Sequence, residues 1–94
     1  MITDISTVDV QPGKEEAFAL AFREAWAKLG KVHGLGRSQL LRGVEKPSQF
    51  VFLAEWERLE DHQALAKMPE YAALLKTVGL FLAGAPQILH YRMG

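Results

Sequence analysis

The sequence predicts a single α+β domain whose elements run β-α-β-β-α-β, folding into a four-stranded antiparallel sheet with its helices on one face. Three observations lead there. The stretch Phe50-Val51-Phe52-Leu53-Ala54-Glu55-Trp56 is short, β-prone and apolar at odd and even positions alike, so both faces of that strand need cover. From Lys14 the apolar residues Phe18, Phe22, Ala25, Trp26 and Leu29 recur at helical spacing. After the apolar strand a second helical pattern runs from Leu59 to Val78, interrupted at Pro69.

Each element has its own signal. Residues 2–10 carry Ile2, Ile5, Val8 and Val10 among Thr and Asp, and close on the turn Gln11-Pro12-Gly13; this is the first strand. The first helix starts at Lys14 with Glu15 and Glu16 and ends with Lys28 and Lys31, which complements the helix dipole, while Gly30 and Gly34 supply stop signals. Residues 35–44 alternate loosely up to the polar turn Glu45-Lys46-Pro47-Ser48, and the apolar strand 49–57 returns as the other half of a hairpin. Leu59, His62, Leu65 and Ala66 share one face of the second helix. Proline fits best as the first residue of a new turn, so this helix is expected as two segments, the second presenting Tyr71, Leu74, Leu75 and Val78. Residues 86–93, with Ile88 and Tyr91 among polar neighbours, read as the last strand.

This order is the ferredoxin-like split βαβ arrangement. Two helices cover one face of a four-stranded sheet, and in the apolar strand Phe50, Phe52, Ala54 and Trp56 look one way while Val51 and Leu53 look the other. A chain of 94 residues has nothing left to cover the second face. The expectation is a homodimer that packs two sheets together and encloses a pocket.

Composition narrows the function classes. Eleven Lys and Arg balance eleven Asp and Glu, so no net field draws the chain to phosphate backbones or anionic lipid, and neither nucleic acid nor membrane is expected as a partner. Cysteine is absent, which removes disulfides, thiolate nucleophiles and zinc thiolate sites. Met1-Ile2-Thr3-Asp4 has neither a basic flank nor a long apolar core, and the longest apolar run, Val78 to Pro86, is broken by Gly79 and Gly84. A cytoplasmic location is the expectation.

Three stretches resemble the antibiotic biosynthesis monooxygenase family of the dimeric α+β barrel superfamily. They are Val10-Gln11-Pro12-Gly13-Lys14-Glu15-Glu16-Ala17-Phe18, His33-Gly34-Leu35-Gly36, and Phe52-Leu53-Ala54-Glu55-Trp56-Glu57 with the following Leu59-Glu60-Asp61-His62-Gln63-Ala64 and Met68-Pro69-Glu70-Tyr71. The resemblance implies a small homodimer with a pocket between sheet and helices in each subunit. The chemistries it brings are cofactor-free oxygenation of quinols and anthrone-like phenols, haem cleavage, and isomerisation of small metabolites; fold alone does not select among them. The haem-cleaving branch has an Asn on its first strand and a Trp and a His on its second helix. Aligned on Gly13 and Trp56, those positions hold Ser6, Leu65 and Leu75 here, which argues against haem degradation by that route.

Oxygenation without metal or flavin requires a base that deprotonates an electron-rich substrate inside a dry pocket. His62, on or beside the apolar face of the second helix, is the candidate base; the plain structural reading is a helix-edge histidine bonded to backbone. Trp56 and Tyr71 are the candidates for shaping an aromatic pocket, although Trp56 serves equally as core. His90 falls between Leu89 and Tyr91, and alternation does not say which way it faces. His33 sits in a loop. Three histidines on separate elements with no carboxylate at ligand spacing make a poor case for metal, and neither metal nor cofactor is expected. The reading is therefore a cofactor-independent monooxygenase of a small aromatic metabolite. The alternatives are a non-catalytic ligand-binding dimer and an isomerase of a small oxygenated metabolite.

Overall fold

The structure is a computed structural model describing residues 1–94. Its elements are β1 (Ile2–Asp9), α1 (Glu15–Ala27), β2 (Leu35–Arg42), β3 (Gln49–Trp56), α2 (Leu59–Leu65), α3 (Pro69–Gly79) and β4 (Gln87–Arg92). The strands lie in the order β2-β3-β1-β4, every neighbouring pair antiparallel. This is the α+β, ferredoxin-like arrangement that the sequence predicts, with the second helix divided as expected. Met68 takes an extended conformation (φ −81°, ψ 129°) and Pro69 opens α3, where its missing N–H costs no helical hydrogen bond. No helix is long and apolar enough to cross a membrane.

Strand parity organises everything else. The register pairs Asp4 with Ala54 and with His90, Ser6 with Phe52 and with Ile88, and Leu40 with Phe52. Directly paired residues share a face, so Ile2, Asp4, Ser6 and Val8 of β1, Phe50, Phe52, Ala54 and Trp56 of β3, and Ile88 and His90 of β4 all look toward the helices. The other row, which includes Ile5, Leu41, Val51, Leu53, Leu89 and Tyr91, looks away from them. Only 12 of the 94 residues are buried, because a single layer of helices shields just one side of the sheet.

On the covered side, Phe18, Phe22 and Trp26 stand four residues apart on α1 and face Phe50 and Phe52, two apart on β3. A helix climbs about 6 Å in four residues and a strand about 6.6 Å in two, so the two ladders stay in step. Ring centroids lie 4.8 Å apart for Phe18–Phe50 and for Phe22–Phe52, and 4.6 Å apart for Trp26–Phe52. Gly34, just before β2, has φ +78°, and a Cβ there would collide with the Asp61 carboxylate; glycine is required by both backbone and space.

Trp56 is fully buried at the end of β3, and its Nε1 has no hydrogen-bond partner. Trp56→Ala is expected to lower unfolding stability by about 3–5 kcal/mol, read from urea denaturation. Trp56→Phe should cost clearly less, since it keeps an aromatic ring and removes a buried unpaired N–H. Equal losses for the two variants would show that a phenyl ring fills none of the role of the indole at this end of the sheet.

Candidate functional site

Between the sheet and the helices lies a cavity of about 270 Å³ lined by 18 residues, 13 of them hydrophobic. Its floor is the covered row of β1 together with Ile88, and its walls come from α1 and α3, with Phe22, Trp26 and Phe52 forming an aromatic side. The polar groups gather in one part of the lining: Asp4 and Ser6 from β1, His62 from α2 and Tyr71 from α3. An apolar chamber with a few convergent polar groups is the usual form of a small-molecule site.

Asp4 is the one buried charged or polar residue of the chain, 3% exposed. Its Oδ2 lies 3.2 Å from His62 Nε2, and Ser6 Oγ donates a long hydrogen bond of 3.4 Å to Oδ1. On the other edge of the imidazole, His62 Nδ1 is 2.7 Å from His90 Nε2. Trp56 lies behind this histidine: the indole stacks on the His62 ring with centroids 5.1 Å apart and planes 17° apart, fixing the imidazole plane.

Burial governs the protonation of the group. It raises the Asp4 pKa above the usual carboxylate value, against the opposing positive charge of His62 and His90 and the Ser6 hydrogen bond. It lowers the His62 pKa below the usual imidazole value; Asp4 pulls the other way and His90 adds to the lowering. Tyr71 is pushed upward, first by burial and then by the nearby Asp4 charge, so its phenol keeps its proton and remains a donor. Desolvation thus drives the two groups toward each other in basicity.

The structure thus brings His62 and Tyr71 to one cavity and sets Trp56 outside it, stacked beneath His62. Trp56 does not shape the pocket wall, because the covered row of β3 turns its last ring under α2 rather than into the chamber. His33 lies elsewhere, 3.6 Å from Asp61 in the loop before β2. Asp4, Ser6 and His90 complete the group; the sequence passes over Asp4, marks Ser6 only as standing where the haem-cleaving branch has Asn, and leaves the direction of His90 open. Asp4, His62 and His90 each place one potential ligand atom within 4.8 Å of the others, a cluster that spacing in sequence does not reveal. A single ion can take only one ring nitrogen of His62, and the two nitrogens face different partners. What the side chains form is a row in which His62 is hydrogen-bonded to His90 at Nδ1 and in ion-pair contact with Asp4 at Nε2.

The fold is thus a ferredoxin-like sheet with an apolar cavity under its helices and an acid–imidazole pair at the cavity's polar side. The chain belongs to the antibiotic biosynthesis monooxygenase family, whose sequence model matches residues 1–77. It is 27% identical over 96 residues to the uncharacterised protein YczJ of Bacillus subtilis, covering 98% of each chain. Among solved structures it resembles a candidate antibiotic biosynthesis monooxygenase from Bordetella bronchiseptica, with TM-score 0.89 and 26% identity over 99% of this chain and 96% of that one. It also shares its fold with SnoaB from Streptomyces nogalater, solved in a mutant form, with TM-score 0.85 and 17% identity over 98% of this chain and 91% of that one.

The carboxylate of Asp4 favours the charged imidazolium, so Asp4→Asn should lower the His62 pKa further. Ring ¹⁵N chemical shifts followed through a pH titration give the answer directly. A rise, or no movement, would mean that the Asp4 charge does not act on the His62 ring.

Proposed function

We propose that this protein is a cofactor-independent monooxygenase that oxygenates a small, electron-rich aromatic metabolite such as a quinol or an anthrone-like phenol. The observation that carries the reading is the Asp4–His62 pair, with its side chains 5% and 14% exposed, set in an otherwise apolar and aromatic chamber. Such a chamber accepts a planar ring and excludes water, while the pair offers a base where the substrate's acidic hydrogen would lie. SnoaB, which shares the fold, is itself a cofactor-independent oxygenase, and this supports the assignment of chemistry. Pockets for drug-sized ligands run from about 300 to 1,000 Å³, so a cavity of about 270 Å³ favours a compact substrate.

For an anthrone-type carbon the reaction balances as R₂CH₂ + O₂ → R₂C=O + H₂O. The His62–Asp4 pair removes one C–H proton, leaving an enolate. The enolate passes one electron to dioxygen, and the resulting radical and superoxide combine to form a C–O bond. Cleavage of the O–O bond, with loss of the second C–H proton and return of the first, releases water and leaves the carbonyl. Tyr71 donates a hydrogen bond to the developing oxyanion, and Trp56 keeps the imidazole in place.

The working unit is a homodimer. Leu41, Leu89 and Tyr91 on the open face of the sheet are 44%, 46% and 48% exposed, and they lie beside Ile5, Val51 and Leu53 in the same row. An apolar row of this kind suits sheet-to-sheet packing with a second copy.

Oxygen uptake should appear when the metal-stripped protein meets a panel of quinols and anthrones. His62→Gln should slow it by about 10²- to 10⁴-fold. Uptake unaffected by the substitution would remove His62 as base, and turnover under strict anaerobiosis would make the protein an isomerase. Separately, Leu53→Asp should convert a dimer to monomer in sedimentation velocity, since it sets a charge in the middle of the apolar row; an unchanged mass would rule out packing through this face.

A further inference from the structure

His90 does not line the cavity, yet it touches the residue that does the chemistry there. Its Nε2 lies 2.7 Å from His62 Nδ1, its ring is 4.9 Å from the His62 ring centroid to centroid, and the residue is exposed to solvent. Asp4 and His62 line the cavity. We propose that Asp4, His62 and His90 form a proton relay that connects the buried cavity to bulk water, with His90 as its outer terminal. This rests on the monooxygenase reading for its purpose, while the relay itself is a property of the substrate-free protein.

Three features support it. First, an imidazole is the side chain that accepts a proton at one edge and releases another at the opposite edge, and His62 has a partner at each: Asp4 at Nε2 and His90 at Nδ1. Second, the order of the row is built into the backbone. Asp4 and His90 are direct cross-strand partners on β1 and β4, so their side chains rise from the same face of the sheet, and His62 descends between them from α2. Third, stacking on Trp56 holds the imidazole plane, so that both contacts persist together.

The chemistry gives the relay its use. A base in a dry chamber that keeps its proton simply hands it back to the enolate. Passing that proton outward lets the anion wait for dioxygen. One proton leaves the substrate for an Asp4 oxygen, and a proton crosses the 3.2 Å ion-pair contact from Asp4 to His62 Nε2. The Nδ1 proton of His62 passes to His90 Nε2, and the Nδ1 proton of His90 goes to water. Each group ends with as many protons as it began with, the two histidines in their other tautomers, and no electron moves. The reverse transit supplies the proton needed when water is formed and restores both tautomers.

The test uses substrate-free, EDTA-treated protein labelled with ¹⁵N-histidine. The exchange rate of the His62 ring N–H with water is expected to fall by at least about tenfold in His90→Gln, whose amide can hydrogen-bond but cannot shuttle a proton. It should stay unchanged in the control His33→Gln, with circular dichroism and thermal midpoint matching wild type in both. An unchanged exchange rate in a folded His90→Gln protein overturns the relay. Submicromolar zinc binding that moves the His62 and His90 resonances together and is lost in His90→Gln also overturns it, in favour of a metal site. Anthrone then tests the purpose: anaerobic wash-in of deuterium from D₂O into bound anthrone should slow in His90→Gln while its dissociation constant holds. Slow ring exchange in the variant, combined with no anthrone turnover or wash-in by wild type, would uphold the relay and reject the monooxygenase reading.

Discussion

Phe18, Phe22 and Trp26 rest on Phe50 and Phe52 because a helical step of four residues and a strand step of two cover nearly the same length. That match sets α1 along β3 and fixes which row of the sheet is covered. It also places the cavity. With α1 committed to β3 and α3 packed beside α1, the covered row of β1 and the neighbouring part of β4 are left beneath an opening that side chains only partly fill. The same parity that buries Phe50, Ala54 and Trp56 points Asp4, Ser6 and His90 into or beside that opening. The site is thus a consequence of how the core is keyed.

Asp4 bears the main cost of the arrangement. A carboxylate drawn out of water with one long hydrogen bond from Ser6 would be costly if left charged and alone. The neighbouring imidazole supplies the counterpart, at the expense of its own basicity. Each group is pushed toward neutrality by burial and back toward charge by the other. The indole of Trp56 is held under the imidazole with an unpaired N–H, a packing cost incurred directly beneath the residue whose orientation matters most.

Much of this was legible beforehand, and the exceptions have physical reasons. Helical spacing located Phe18, Phe22 and Trp26, the apolar strand announced a sheet with two needy faces, and Pro69 marked the break between α2 and α3. His62 and Tyr71 could be singled out because each lies on a helix face whose apolar neighbours define its direction. Asp4 could not, since β1 carries Ile2 and Val8 on one face and Ile5 on the other, so alternation leaves the direction of Asp4 open until pairing with Ala54 decides it. A charged residue flanked by apolar ones in a strand destined for the sheet centre was the signal available. His90 was ambiguous for the same reason, and its meeting with His62 depends on the β1–β4 register. Trp56 could be grouped with Phe50, Phe52 and Ala54, but which face that row presents to the helices was left open, and whether its ring fills the chamber or the space under α2 depends on its position at the strand's end.

The interruption at Met68 and Pro69 separates two jobs that a continuous helix would have joined. α2 holds the imidazole, whereas α3 supplies Tyr71, Leu74, Leu75 and Val78 to the chamber wall. Because the joint separates the two segments, exchanges at Leu74, Leu75 and Val78 would reshape the cavity wall without altering the turn that carries His62. A scaffold divided in this way leaves the volume of its chamber free to drift in sequence independently of the histidine beside it.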